Sequence, residues 1–504
     1  MKRKLSLLYL VIVMILVASC SKKEKVESKK EVIAAQVGAA KSLDPQGTND
    51  KRSLEVMVQV YDTLVEVDKN MELKDGLAQN WEYITPTKIR FKLKDGIKFH
   101  NEEPLKVEDV IFSLNRVKNS KIVGAIGESI ESVEKVDNKT FDINTKYPTK
   151  TLLKFLADPG ASIVSEKAVN EYGNSFGQNP VGTGPFILEE WVTGDKIVLK
   201  SNKEHTFKKP NIDKLVFRSI PEATNRVIGL ETGEIDVAYA VSPIDAEQVL
   251  KNSKLELMTI DPLAIEFIGF NIKDSKLKDE NLRKAIIYAL NSDEILGTVL
   301  GTYAESINSP LAKNMFGYTE NRVKYSQDID KAKEYLDKVE NKEDLNLSIT
   351  IHSNSDSMQI SQIIQAQLKD IGINLTINPL EWGTFISETS NGKHQLFHLG
   401  KTSPTGDGEE ALTVFNEKFI GAAGNRFFYS NPKVNELLTL AKEETDDKKR
   451  EAYYQEVCQI IQEDGVMAIS FTRKVIAGVN KNISNFEPHP SGMHRFYKVD
   501  KEVK

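Results

Sequence analysis

Apolar and polar positions along this chain follow two rhythms that take turns. Ile89, Phe91 and Leu93 are separated by charged residues, the period of two expected of a strand with one buried face. Val107, Val110, Ile111 and Leu114 then recur at helical spacing, with Glu108 and Asp109 in the first turn, where carboxylates suit the helix dipole. Leu215 and Phe217 alternate again, a helix is predicted from Glu222 to Glu231 with Gly233 as its stop, and Ile235-Asp236-Val237-Ala238 restarts a strand. Leu282, Ala285, Ile286, Ala289 and Leu290 form one strong helical stripe, and Ile360, Ile363, Ile364, Leu368 and Ile371 form another. The second stripe closes at Gly372, a C-cap residue, and Ile373, Leu375 and Ile377 follow with period two. Val434 to Ala441 and Tyr453 to Ile461 read as the last two helices, and Val466 to Phe471 as a strand. Strands and helices mixed in this order predict α/β lobes, with no short repeat and no Pro- or Gly-rich linker between them.

The N-terminus has a different rhythm. Lys2, Arg3 and Lys4 precede an apolar run from Leu5 to Val17, too short to span a bilayer comfortably. Small residues lead to a cysteine in Val17-Ala18-Ser19-Cys20, which resembles a lipobox; a plain signal peptide or an anchor helix is the other reading. Residues 1–19 are therefore expected to be a lipoprotein signal peptide, Cys20 the acylated residue, and residues 20–30 a polar tether. No later segment approaches 18 consecutive apolar residues. The expected address is extracytoplasmic, held to a membrane by lipid.

Composition adds exclusions. The 504 residues are 40% hydrophobic and 28% charged, which excludes a disordered or fibrous chain, and a net charge of −6 offers no basic footprint for nucleic acid. Besides Cys20 there is one cysteine, Cys458, set among Val457, Ile460 and Ile461 and expected to be a buried apolar residue. No G-x-S-x-G elbow, phosphate loop, HExxH or paired-cysteine motif is found, so no enzyme chemistry and no cofactor is expected; a secreted hydrolase is the weakest alternative.

Five stretches in order carry a family resemblance. Gly76-Leu77-Ala78 with Trp81, Gly96 with Phe99-His100, and Asp109-Val110 with Phe112-Ser113 form the first. Asn179 to Phe186 (NPVGTGPF) with Glu190-Trp191 is the second, and Arg226 with Gly233-Glu234-Ile235-Asp236 the third. Phe270-Asn271 with Leu282 to Ile286, and Gln365 to Leu368 with Gly372-Ile373 and Glu381-Trp382, complete the set. Over about 400 residues the chain resembles the peptide-type extracellular solute-binding proteins, the dipeptide/oligopeptide family that serves ABC importers. The resemblance implies an α/β clamshell of the type II periplasmic-binding-protein kind. Lobe I would hold residues 31–265 with 476–504, including a subdomain at about 55–170, and lobe II residues 266–475. Crossovers near Leu263–Phe267 and Arg473–Ala477 would form the hinge, and a monomer would close on a di- or oligopeptide and pass it to a permease.

The resemblance also implies a site. Gly400 to Glu410 matches a family stretch G-W-T-G-D-N-G-D, whose second aspartate holds the ligand's ammonium and falls on Asp407. The main chain of Thr405 and Gly406 would pair with the peptide, Trp382 would line a side-chain pocket, and Gly47 and Thr48 would touch the ligand from lobe I. The chain departs from the family at Lys401, where a tryptophan is usual, at Pro404-Thr405 in place of Asp-Asn, and in residues 352–358, which lack the arginine that fixes a ligand carboxylate. Lys401 and Arg426 are the candidate substitutes for that clamp. A nickel or metal-chelate receptor of the same transporter class is the alternative, with His352, His394 and His398 as its ligands. The stretch holding His394 and His398 reads as a strand, which separates the two by about 13 Å.

Overall fold

The structure, a computed structural model, describes residues 30–320, 324–340, 345–421 and 424–502. Cys20 and the expected signal peptide lie outside these residues. Among the described residues no helix is long and apolar enough to cross a membrane.

Chain order explains the architecture. Strand β1 (Glu31–Gln36) leads through a loop to helix α1 (Lys51–Val60), whose start is capped by the Asp50 side chain accepting from Ser53 N–H. A hairpin, β2 (Val65–Val67) and β3 (Leu73–Asp75), precedes an inserted unit. There β4 (Ala78–Thr85), β5 (Lys88–Leu93), β6 (Ile130–Lys135) and β7 (Thr140–Thr145) form an antiparallel sheet in the order β4-β5-β7-β6. Helix α2 (Val107–Asn119) covers it, burying Val107, Val110 and Leu114 of the predicted stripe together with Val117, while Ile111 is partly buried against the same core.

The chain then returns through β8 (Phe186–Val192), β9 (Lys196–Ser201), β10 (Lys214–Ser219), α3 (Ala223–Thr232), β11 (Val237–Tyr239), α4 (Pro243–Lys251) and β12 (Leu255–Ile260). The seven-stranded sheet of this lobe runs β12-β19-β11-β1-β10-β9-β8, with β19 (Val475–Asn480) supplied from the end of the chain. The glycines of NPVGTGPF are explained by close approach. A Cβ on Gly184 would sit 2.4 Å from the Val60 carbonyl carbon, and one on Gly182 would sit 2.1 Å from the Val60 oxygen.

The second sheet starts at β13 (Ala264–Phe270). It continues with α5 (Glu280–Ala289), β14 (Ala304–Ser306), β15 (Asn346–His352), α6 (Ser355–Lys369), β16 (Asn374–Leu380), α7 (Trp382–Ser390) and β17 (Leu396–Thr402). Helices α8 (Pro432–Glu443) and α9 (Asp447–Glu463) precede β18 (Met467–Arg473), and the strand order is β14-β18-β13-β17-β15-β16. Ile286, Ile360 and Ile364 of the helices meet Ile349 and Ile351 in one core. Cys458 is fully buried in a second core of this lobe, and burial pushes its thiol up to about 12.

The chain leaves the first sheet after Ile260 and enters the second at Ala264; it returns between Arg473 and Val475. Pro262, which has no N–H for a ladder, stands in the first crossing, so Leu263 precedes the strand and Phe267 lies inside it. β1, β11 and β12 run the same way, and Ile260 at the end of β12 leads directly into the other lobe. In the second sheet β15, β16 and β17 are parallel, and Thr402 at the end of β17 pairs with Ala264, the first residue after the crossing. The carboxyl ends of both sets of strands therefore face each other across the crossover, the place where open α/β sheets bind ligands.

Candidate functional site

The lobe I side of the seam is polar. Gln36 ends β1 and Tyr239 ends β11, and Glu55 of α1 is near enough to act electrostatically on the Tyr239 hydroxyl. All three are buried, and Gln36 Oε1, Glu55 Oε2 and Tyr239 Oη have no hydrogen-bond partner within the described chain. Burial pushes the Glu55 carboxyl up to about 7, with Lys51 opposing it. Solvent reaches Lys51, at the start of α1, but the surrounding protein pulls its pKa below the usual lysine range. Gly47 and Thr48 belong to the loop before this helix. Gly47 N–H donates to Asp44 O at 3.0 Å, and Thr48 Oγ1 accepts from Asp50 N–H at 3.1 Å.

The lobe II side is built on β17. Its whole length pairs with β13, but β15 joins its other side only at Leu396 and Phe397. Beyond Phe397 that side has no partner strand among the described residues, an open sheet edge at the seam. The loop after the strand is closed on itself. Gly406 N–H donates to Ser403 O at 2.9 Å and Gly406 O accepts from Phe316 N–H at 2.9 Å. Thr405 Oγ1 donates to Glu410 at 3.2 Å, and its N–H faces the same carboxylate. Of the main chain that the resemblance assigns to peptide pairing, the Thr405 and Gly406 N–H groups and the Gly406 carbonyl are thus engaged inside the protein, and β17 offers an open edge.

Asp407 likewise has an internal partner. It is 2% exposed and its carboxylate takes the guanidinium of Arg450, a residue of α9. Asp407 Oδ1 also accepts from Glu409 N–H at 3.0 Å, capping the short helix Gly408–Ala411. Arg450 lies over the rings of Phe316 and Tyr454, 4.7 and 5.3 Å from their centroids. No spacing or motif signals this pair, whose members are 43 positions apart.

The other predicted residues scatter. Trp382, at the first turn of α7, is 48% exposed; it stacks on Phe385 at 5.7 Å and meets the His352 ring edge-on at 5.3 Å. Lys401 Nζ stands 3.8 Å from Glu410. Arg426 donates to Thr389 Oγ1 at 3.1 Å and reaches Ser390 at 3.4 Å, at the far end of α7 from Trp382 and with no carboxylate partner among the described residues. His394 Nε2 bonds Arg426 O at 2.9 Å, whereas His398 Nε2 faces Glu266 at 3.3 Å. His352, His394 and His398 have different surroundings and do not converge on one ion, and no group of three or more His, Cys, Asp or Glu side chains that could hold a metal occurs among the described residues.

Three features escaped the sequence reading. Arg473, in the return crossing, holds Asp356 at 2.6 Å and Glu266 at 3.0 Å, and so brings a guanidinium to the segment that lacks a basic residue of its own. Thr151 in the inserted unit donates to Glu409 of lobe II at 2.6 Å, and Lys442 of lobe II reaches Glu128 at 3.2 Å, so the lobes are in contact. Burial pushes the Glu409 carboxyl up to about 7. Asp158 opens the turn Asp158–Ser162 and faces the seam beside Pro404. Each arrangement joins residues too distant in sequence for spacing to reveal.

Comparison with known proteins gives the arrangement its context. A glutathione-binding protein of Pectobacterium atrosepticum is 27% identical over 488 residues, covering 94% of each chain. The dipeptide-binding protein of Escherichia coli K12 is also 27% identical, over 94% of this chain and 95% of its own. The structure of the periplasmic binding protein DppA of Helicobacter pylori in complex with the peptide STSA superposes with a TM-score of 0.83 at 25% identity, over 94% of this chain and 99% of the other. The profile of "Bacterial extracellular solute-binding proteins, family 5 Middle" matches residues 72–422. With its two facing sheets and polar seam, this chain belongs to the bacterial extracellular solute-binding proteins of family 5, which bind and deliver solutes rather than transform them.

Proposed function

We propose that this protein is the lipid-anchored receptor of an ABC importer, which captures di- or oligopeptides outside the cytoplasmic membrane by closing its two lobes and delivers them to a permease. The observation that carries the reading is the open edge of β17, at the seam between the facing strand ends. An extended peptide can add there as a further strand, taking affinity from main-chain hydrogen bonds that read no side chain. The relatives named for dipeptides and for glutathione, and the neighbour holding STSA, support a guest with peptide bonds. Arg473 is the proposed carboxylate partner in place of Lys401 and Arg426, because it stands at the seam beside Asp356 and Glu266. Trp382, half exposed at the start of α7, serves as an apolar wall for a guest side chain. Lobe I is proposed to be residues 31–265 with 476–504 and lobe II residues 266–475, with Cys20 as the lipid attachment.

Native mass spectrometry of the protein as purified is the direct test. A retained peptide is the expected cargo; a mass matching a metal chelate or a sugar would overturn the reading. Cys20→Ser is expected to move the protein from the membrane fraction to the soluble one.

A further inference from the structure

A cavity of about 20 Å³ lies at the seam, with Asp158, His489, Ser491 and Arg495 on the lobe I side and Pro404 on the lobe II side. That volume admits a group the size of one water molecule. Asp158 is the acid in this wall, and one of its carboxylate oxygens accepts from Gly160 N–H at 2.7 Å. No basic side chain among the described residues is paired with it. Arg495 is turned to Glu66 at 3.4 Å. His489 spends Nδ1 on the Ser491 hydroxyl at 2.7 Å, and burial pulls its pKa down to about 4, which leaves the ring uncharged at neutral pH. The charge acting from lobe II is Glu410, of the same sign. Half-buried and with no countercharge, the Asp158 carboxyl is pushed up to about 7 by desolvation within the surrounding protein.

The turn is fixed from behind. Gln46 Nε2 donates to Gly160 O and to Ser162 O, each at 3.1 Å, and Arg116 holds Asp44 of the same loop at 2.8 Å. The carboxylate is therefore in place independently of lobe II. Across the cavity, Pro404 occupies the position of the first aspartate in the family stretch, and the loop's second acid is taken by Arg450. A half-buried carboxylate with no basic partner at a closed seam lacks a cation, and an ammonium group is about the size of the one water molecule that the cavity admits.

We infer that Asp158 grips the positively charged amino end of the guest from lobe I, across the cavity from Pro404. The inference rests on the peptide-receptor reading and narrows the guest to peptides with a free, protonated amine. The amine neutralises Asp158 as the lobes meet, and so supplies the countercharge that the seam lacks.

The test uses the full chain and two probes, a mixed library of di- to pentapeptides with free amino termini and the same library N-acetylated. Thermal unfolding is expected to rise with the free-amine library and not with the acetylated one. Calorimetry of the best free-amine peptide is expected to show a loss of at least about tenfold in affinity in Asp158→Asn. Equal affinity in Asp158→Asn, or equal stabilisation by both libraries, overturns the role of Asp158 and leaves the peptide reading intact. No response of the wild-type protein to either library overturns both. Should Asp158→Asn fail to fold, calorimetry of the wild type decides: equal affinity for the best free-amine peptide and for its N-acetylated form refutes the inference.

Discussion

Replacing Asp407 with asparagine separates a ligand-gripping acid from one that holds the fold. Asp407 is 2% exposed and the Arg450 side chain 4%, so the pair is desolvated. Removing one member of such a pair strands the other charge, at about 3–5 kcal/mol. Asparagine caps a helix nearly as well as aspartate, so the Glu409 N–H contact survives and the ion pair is the main loss. The rings of Phe316 and Tyr454 still face the guanidinium, which places the expected cost near the lower end, about 3 kcal/mol. Urea unfolding of the ligand-free protein measures it. Trp382 is the only tryptophan of lobe II, so its fluorescence in a Trp81→Phe, Trp191→Phe background reports that lobe. Replacing both charged residues, Asp407→Leu with Arg450→Met, is expected to recover part of the loss. If Asp407→Asn leaves ligand-free stability unchanged and weakens only ligand binding, the assignment to Arg450 is wrong and Asp407 is a ligand contact.

Other outcomes follow from the same geometry. Glu409, raised to about 7 by burial against the inserted unit, favours the closed form most at pH below about 4.5; that contribution falls between there and about 7 and stays lost above. The radius of gyration of the ligand-free protein is therefore expected to be larger at pH 8 than at pH 5, and Glu409→Gln with Asp158→Asn is expected to flatten the difference; an unchanged pH response in that double variant refutes the assignment. Gly184→Ala drives a Cβ to 2.4 Å from backbone, which a side-chain shift cannot relieve, so a loss of at least about 2 kcal/mol in urea unfolding is expected. Cys458, fully buried with its thiol pushed up to about 12, is expected to resist a thiol reagent until the protein is unfolded; rapid labelling of the native chain contradicts its place in the core.

The hydrophobic rhythm alone determined most elements of this protein. The stripe from Val107 became α2, the Ile360 stripe became α6, and Ile373, Leu375 and Ile377 led into and along β16, because which face of a helix or strand is apolar is a local property of the chain. The predicted stop at Gly233 ends α3 in a left-handed conformation for the same local reason. The family stretches fixed the identity of the fold, and they also placed the site region at the end of β17. What they did not decide is which side chains there are unoccupied. Asp407 reads as a ligand acid until α9 brings Arg450 to it, and the segment 352–358 reads as lacking a clamp until the return crossing brings Arg473 to Asp356. Asp158 looks like an ordinary turn residue until the lobes enclose it opposite Pro404. Charge balance at a seam is a sum over neighbours in space, and these neighbours come from segments 43 to 246 positions apart, so only the tertiary structure sets it.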